Sequence, residues 1–157
     1  MKRKHYIIVI SALSLGIYVL SFFLDSFMDN VEWHYPGWYC ATFGAIGSIL
    51  AFLELALYQE TIHSWQLIWL ANPLYIYALT SFYRGKKPIK SVLAAFLFSL
   101  LFIECHGSLM LGIGPDFERF VAEKMHGYYL WHLSMLILCI GLLFLYMLDY
   151  LHYFSEE

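Results

Sequence analysis

Charged residues are scarce in this sequence. Lys, Arg, Asp and Glu together account for 13% of the 157 residues, whereas hydrophobic residues account for 61%. Soluble domains have about 25% charged and about 45–50% apolar residues, so this composition is typical of a protein that lies in a lipid bilayer. The formal net charge of −3 argues against a nucleic-acid partner, because nucleic-acid binding requires a strongly basic surface.

Cysteines are few, and the common catalytic motifs are missing. Cys40, Cys105 and Cys139 are not spaced as C-x-x-C, and cysteines in apolar stretches usually pack as small hydrophobic residues. A disulfide framework is therefore not expected. The sequence also lacks G-x-S-x-G, H-E-x-x-H and a phosphate-binding loop. No catalytic residue and no cofactor is predicted, and a non-enzymatic role is favoured.

Long apolar stretches are what the sequence has instead. Five of them approach the roughly 20 residues that a membrane helix needs. They cover approximately residues 6–24, 38–58, 65–83, 91–113 and 127–151. The sequence therefore predicts an all-α, polytopic transmembrane helix bundle of four or five spans, with a single integral-membrane domain over residues 1–157. A short amphipathic helix in the membrane interface is predicted over residues 115–126.

Residues at the ends of these stretches are typical of membrane boundaries. The basic N-terminus precedes the first stretch, and no A-x-A-like cleavage site follows it, which predicts an uncleaved anchor with a cytoplasmic N-terminus. Aromatic residues cluster before the second stretch and at both ends of the fifth, as in the aromatic belts of membrane proteins.

The basic residues give two different topologies. Five full spans from a cytoplasmic N-terminus place five Lys and Arg residues inside and four outside, and the run Arg84, Lys86, Lys87 and Lys90 then lies outside. If the third stretch does not cross, seven basic residues lie inside and two outside. Because short cytoplasmic loops are enriched in Lys and Arg, the charges favour four crossings.

The pair Asn72-Pro73 lies in the middle of the third stretch. Asn is favoured as a helix N-cap, and Pro is favoured at the first helical position. Gly85 is a typical helix stop, and Pro88 follows it. A helix that begins at Pro73 and ends before Gly85 is too short to cross a bilayer. The third segment is therefore predicted to break at Asn72 and Pro73, either as a kinked span or as a re-entrant pair of short helices.

Two motifs carry a family resemblance. "WLANPL" at residues 69–74 and "GYYLWHLSM" at residues 127–135 resemble a group of small multi-pass membrane proteins of unknown function from the bacterial inner membrane. The "PGW" at residues 36–38 and the basic turn occur in the same order in that group, although His132 stands where an apolar residue is expected. The resemblance implies a location in the bacterial inner membrane, and it implies no activity or catalytic residue.

Ionisable residues within apolar stretches are candidates for function, since burying them in a membrane is costly. Glu54 lies in the second stretch, and Glu104 and His106 lie in the fourth. A Glu–His pair could relay protons or bind a cation. His132 and Asp149 lie near the ends of the fifth stretch, where a structural role is favoured.

Two Glu-x-x-His sequences could bind a metal ion. Glu60 and His63 form one, and Glu123 and His126 form the other. Residues spaced by three on a helix face the same way, and di-iron bundles use two such motifs. Both sequences lie at loop edges, where Glu and His are common, so chance is the favoured explanation.

Three functional hypotheses follow from these patterns. The favoured one is a non-enzymatic protein that acts by lateral contact with a membrane-protein partner or with a second copy, as an accessory subunit or an immunity-type protein. The second is an oligomeric channel or proton-coupled transporter that uses Glu54, Glu104 and His106. The third is a membrane metalloenzyme. The predicted partners are therefore the lipid bilayer and either another membrane protein or a second copy of this chain.

Overall fold

Helices make up most of the fold, as predicted, and a small sheet joins them at one end. The computed structural model describes residues 2–29, 32–58, 68–104 and 121–155. Within these ranges the helices are α1 (Lys2–Phe23), α2 (Gly37–Tyr58), α3 (Ala71–Tyr83), α4 (Ile89–Glu104) and α5 (His126–Ser155). The strands are β1 (Asp25–Asp29), β2 (His34–Pro36) and β3 (Val121–Lys124).

Two of the described helices are long and apolar enough to cross a bilayer. They cover Arg3–Phe23 in α1 and His126–Leu151 in α5. A shorter apolar helix covers Ile89–Leu100 in α4. At 1.5 Å per residue, α1 is about 33 Å long and α3 only about 20 Å, compared with about 30 Å for the hydrocarbon core of a bilayer.

The three-stranded antiparallel sheet was not predicted. β1 lies in the centre, with β2 on one side and β3 on the other, and Phe27 pairs with both Tyr35 and Lys124. The interfacial helix predicted over residues 115–126 is therefore wrong over 121–124, where the backbone bonds to β1 as a strand. Of the remainder of that prediction, residues 115–120 fall outside the described ranges, Met125 lies between β3 and α5, and His126 is the first residue of α5.

Glycines permit the close approaches at this end of the molecule. A Cβ on Gly127 would lie 2.6 Å from the Leu24 carbonyl oxygen and 2.7 Å from Ser26 Oγ. Gly37 also lies against the backbone at Ser21 and donates its N–H to the Leu24 carbonyl over 2.9 Å. α2 and α5 thus both begin directly beside the end of α1.

The hydrophobic core lies between four of the helices. Tyr75, Phe82, Met135 and Leu138 are each 1% exposed. The core cluster takes its buried members from α1, α3, α4 and α5. A second, smaller cluster of Phe27, Tyr35, Ile68 and Tyr128 lies under the sheet.

α3 begins slightly earlier than predicted and ends where predicted. It starts at Ala71 after a turn at Trp69 and Leu70, and Leu70 is the N-cap residue. The prediction that Asn72 caps this helix is wrong, and Pro73 lies inside the first turn, where its missing N–H breaks no helical bond. At the other end, Gly85 has a φ of 79°. The Gly85 N–H bonds to the Phe82 carbonyl and the Lys86 N–H to the Ser81 carbonyl, which is a Schellman motif.

Ion pairs fix which ends of the helices lie together. Asp149, near the end of α5, lies 3.2 Å from Arg3 at the start of α1 and 2.8 Å from Lys87 in the turn between α3 and α4. The N-terminus, the basic turn and the last part of α5 therefore form one end of the molecule, which we call the basic end. The sheet lies at the opposite end, which we call the sheet end.

Candidate functional site

The acidic residues that the sequence suggested for transport are only partly placed. Glu54 lies in α2 and Glu104 is the last residue of α4, but their side chains are outside the described part of the structure. His106 lies wholly outside the described ranges. The transport hypothesis built on these three residues stays a prediction.

The second Glu-x-x-His sequence does not form a helical pair. Glu123 lies in β3 and His126 is the first residue of α5, so the spacing of three does not place them on one helix face, and both residues are exposed. Glu60 and His63 are outside the described residues. Across the ranges that the structure describes, no group of three His, Cys, Asp or Glu side chains is arranged to hold a metal ion.

Asn72 is instead the centre of a polar contact between three helices. Its Oδ1 accepts a hydrogen bond from Tyr18 of α1 at 3.0 Å and another from the Trp131 indole of α5 at 2.8 Å. A carbonyl oxygen has two lone pairs, so both are used. Asn72 therefore fixes the start of α3 against α1 and α5, which is why it is not available as a cap.

This contact lies below the sheet end. Tyr18 is five residues from the end of α1, and Trp131 is five residues from the start of α5. At 1.5 Å per residue, Asn72 lies about 8 Å along both helices from that end. A polar contact at this depth, between apolar helices, joins them more specifically than apolar packing alone.

A second polar chain lies next to Asn72, and its protons can be assigned. Ser14 Oγ donates to the Ser134 carbonyl at 2.8 Å. The hydroxyl of Ser14 has one proton, so in its 2.7 Å contact with Tyr75 it accepts and Tyr75 donates. The rings of Tyr18 and Tyr75 are stacked with centroids 4.5 Å apart, which connects this chain to Asn72.

The direction of these bonds decides what the chain can do. It runs from Tyr75 through Ser14 to a backbone carbonyl, which has no proton to pass on. Among the described residues, this chain of hydrogen bonds therefore ends at the Ser134 carbonyl. Its chemistry is that of a structural clamp between α1, α3 and α5.

His132 and Ser99 form a hydroxyl–imidazole pair, but not one that is suited to nucleophilic catalysis. Ser99 Oγ donates to the Phe96 carbonyl at 2.6 Å. It must therefore accept from His132 Nδ1 at 2.9 Å, so the imidazole donates a proton rather than removing one, as a general base would. Ser99 is also fully buried, and the His132 ring packs beside Phe96 with centroids 5.0 Å apart. The pair joins α4 to α5.

A buried carboxylate organises the sheet end. Asp29 is 1% exposed, and it accepts hydrogen bonds from the Trp33 N–H at 2.9 Å and from the Tyr35 hydroxyl at 2.8 Å. These bonds close the hairpin between β1 and β2, in which Glu32 has a φ of 63°. The burial of the Asp29 carboxylate is thus explained by its structural role in the hairpin.

Sequence reasoning did not identify the clamp residues as a group. The signal that could have found them is the spacing of Ser11, Ser14, Tyr18 and Ser21, which places polar groups on one face of the apolar helix α1. All four are buried. The partner of that face, however, is set by residues far away in the sequence, such as Asn72 and Ser134.

Asp149, for which the sequence favoured a structural role, pairs with cations from two other parts of the chain. Lys87 also lies over the Tyr146 ring, 4.9 Å from its centroid.

Comparisons with protein-family models, with curated protein sequences and with solved structures find no match to this chain.

Proposed function

We propose that this chain is a multi-pass protein of the bacterial inner membrane that acts without catalysis, by lateral contact with a membrane-protein partner or a second copy. Its location in a membrane is supported by the distribution of side chains. Large apolar residues are exposed along the helices, while small hydroxyl residues are buried between them, which is the pattern of a bundle surrounded by lipid. Exposed apolar residues include Ile8, Leu13, Leu20, Phe43, Ile49, Leu53, Ile140 and Leu143; buried serines include Ser11, Ser14, Ser48, Ser99 and Ser134.

The proposed topology has four crossings and a cytoplasmic N-terminus. The contacts of Asp149 with Arg3 and Lys87 support it, because they place the N-terminus and the basic turn at one end. The seven basic residues counted as cytoplasmic by the four-crossing arrangement then lie together. In this topology the third segment is a re-entrant pair of short helices that enters and leaves at the basic end. α3 is the second helix of the pair, and it begins just below the sheet end and ends at the basic end. The bacterial inner membrane is the compartment that the sequence resemblance implies.

The observation that carries the lateral-contact proposal is the position of α2. None of its described side chains belongs to the core cluster that α1, α3, α4 and α5 form. Its first turns are attached to the rest of the protein, since the Trp69 indole donates to the Ala41 carbonyl at 2.8 Å and packs against Gly44. Further along, it presents an apolar stripe of helical spacing that we call the α2 stripe. The stripe consists of Phe43, Ile46, Ile49, Leu53 and Leu57, all between 46% and 71% exposed.

A helix with such a stripe can add a partner helix at little cost, because the described part of the protein leaves these side chains exposed. The small residue at Gly44 is already used within the chain by Trp69. We therefore place the contact on the later part of the stripe, at Ile49, Leu53 and Leu57. An accessory subunit or an immunity-type protein that binds a membrane toxin would work in this way.

Photocrosslinking in the intact membrane tests this proposal. A photoreactive amino acid at Ile49 or Leu53 is expected to give a defined crosslinked product, either with one partner or with a second copy. The same amino acid at Ile140 or Leu143 of α5, which are similarly exposed, serves as the control and is expected to give mainly lipid adducts. A protein that is monomeric and partnerless after gentle solubilisation and that turns over a small molecule would contradict the proposal.

A further inference from the structure

The described ionised residues divide unequally between the two ends of the molecule. The basic end has Arg3, Lys4, Arg84, Lys86, Lys87 and Lys90, with Asp149 as its described carboxylate. The sheet end has Asp25, Asp29, Glu32 and Glu123, with Lys124 as its described cation. The undescribed tail residues Glu156 and Glu157 follow α5, and even when they are counted at the basic end its charge stays positive.

Within the described ranges, most cations of the basic end are not neutralised by an acidic residue. Asp149 pairs with Arg3 and Lys87. Arg84, Lys86 and Lys90 are exposed and form no ion pair with another residue in the described ranges. Arg84 and Lys86 follow directly on α3 in the Schellman turn, and Lys90 lies in the first turn of α4. Three exposed cations thus lie within seven residues of sequence at the basic end.

We infer that this basic turn is a binding surface for the headgroups of anionic phospholipids, in the leaflet that faces the N-terminus. The inference rests on the proposed membrane location and adds a lipid partner to it. Clusters of Lys and Arg beside membrane helices attract anionic lipid through their combined positive potential. The charge of the turn is complementary to a headgroup phosphate, and the turn lies where α3 and α4 end and begin, at the level of the headgroups.

The ion pair between Lys87 and Asp149 reduces the positive charge that the basic turn offers to lipid. Lys87 lies between the Asp149 carboxylate at 2.8 Å and the Tyr146 ring at 4.9 Å, so it is partly committed within the protein. Removing the carboxylate would release both Lys87 and Arg3 toward lipid. Lipid binding through charge therefore predicts opposite effects for the loss of a cation and the loss of Asp149.

The experiment uses the full chain in nanodiscs made of equal parts phosphatidylglycerol and phosphatidylcholine. After gentle extraction, mass spectrometry measures the ratio of the two lipids that remain bound. We expect phosphatidylglycerol to be enriched on the wild-type protein. The double variant Lys86→Gln/Lys90→Gln is expected to lose enrichment by up to about fivefold for each charge removed, whereas Asp149→Asn is expected to raise it. High salt is expected to lower the enrichment of all variants.

Lys124→Gln is the matched control, since it removes one cation from the sheet end, and it is expected to leave the ratio unchanged. Equal loss in Lys124→Gln and in the turn variant would overturn the inference, and so would reduced enrichment in Asp149→Asn. Displacement of the bound lipid by soluble glycerol phosphate at the same phosphate concentration would show a site for free phosphate instead, and would also overturn it. Failure of the proposed membrane location would look different, because the protein would then leave membranes in alkaline carbonate and would not enter nanodiscs.

Discussion

At the scale of single residues, Asn72 has the most consequence for the fold. Replacing it by Leu keeps the size of the side chain but leaves the Tyr18 hydroxyl and the Trp131 N–H without their acceptor. Donors that lose a buried partner cost about 1–3 kcal/mol, so we expect Asn72→Leu to lower the free energy of unfolding by about that amount. Reversible unfolding by SDS in mixed micelles, followed by tryptophan fluorescence, measures this loss.

The control for this variant is Thr80→Val on the same helix. Thr80 is exposed, and among the described residues its hydroxyl bonds to the carbonyls of Ile76 and Tyr77 in α3 alone, so its loss is expected to change stability by less than about 0.5 kcal/mol. The double variant Tyr18→Phe/Asn72→Leu removes a donor together with the acceptor and is expected to cost less than the two single changes added. Strict additivity would mean that Asn72 does not join α1 to α3.

The role of Asn72 could be predicted only in part from the sequence. An Asn-Pro pair in an apolar stretch indicates a helix start, and α3 does begin within two residues of it. What the amide side chain binds is a property of tertiary packing, because Tyr18 and Trp131 lie 54 and 59 residues away. The local sequence preference predicted that Asn72 caps the helix, whereas in the structure its Oδ1 accepts hydrogen bonds from Tyr18 and Trp131.

At the scale of elements, the start of α5 is packed against the end of α1 without spare room. In Gly127→Ala, the added methyl group would meet the Leu24 carbonyl, Ser26 Oγ and the Asp25 carbonyl, all within 2.9 Å. Because backbone atoms move less easily than side-chain tips, we expect a loss of about 1–3 kcal/mol in the free energy of unfolding. The same SDS titration measures it.

Gly16→Ala provides the opposite case on α1. Apart from its chain neighbours and the nearby backbone of α1, no atom of the described residues lies within 4 Å of the added Cβ, and Ala is favoured over Gly inside a helix by up to about 1 kcal/mol. We expect this variant to be as stable as the wild type or slightly more so. Equal destabilisation by both substitutions would contradict the close approach at Gly127.

Helices were more predictable than strands for a physical reason. α2 (Gly37–Tyr58) and α5 (His126–Ser155) each cover a long apolar stretch, and Gly85 indicates the end of α3 through local backbone chemistry. The strands have only three to five residues, too few for an alternating pattern to be recognised. β3 also pairs with a strand almost a hundred residues earlier, and no local signal marks that pairing.

At the scale of the whole molecule, the two ends are expected on opposite sides of the membrane. In a variant without native cysteines, Lys86→Cys reports on the basic end and Glu123→Cys on the sheet end, and both positions are exposed. Four crossings predict that an impermeant thiol reagent labels Glu123→Cys from outside and reaches Lys86→Cys only after the membrane is opened.

Five spans predict the reverse, since they place the basic turn outside and residues 114–126 inside. The two topologies therefore predict opposite labelling patterns for the same pair of variants. Labelling of both cysteines from one side would contradict the separation of the basic end from the sheet end. His5→Cys, near Arg3, is expected to behave like Lys86→Cys because Asp149 brings the N-terminus and the turn together.

The packing of α1 against α5 also sets an order of events during synthesis. Ser14 bonds to a carbonyl 120 residues later, and β1 waits for β3 with one edge unpaired. At about 5–20 residues per second, about 6–24 seconds pass between the synthesis of Ser14 and that of its partner in α5. During this period the nascent chain exposes the polar face of α1, which carries Ser14 and Tyr18, and the edge of β1 that later pairs with β3. Both surfaces are then accessible to other proteins. Synthesis of β3 and α5 closes that period, and a chain truncated before β3 would keep both surfaces exposed.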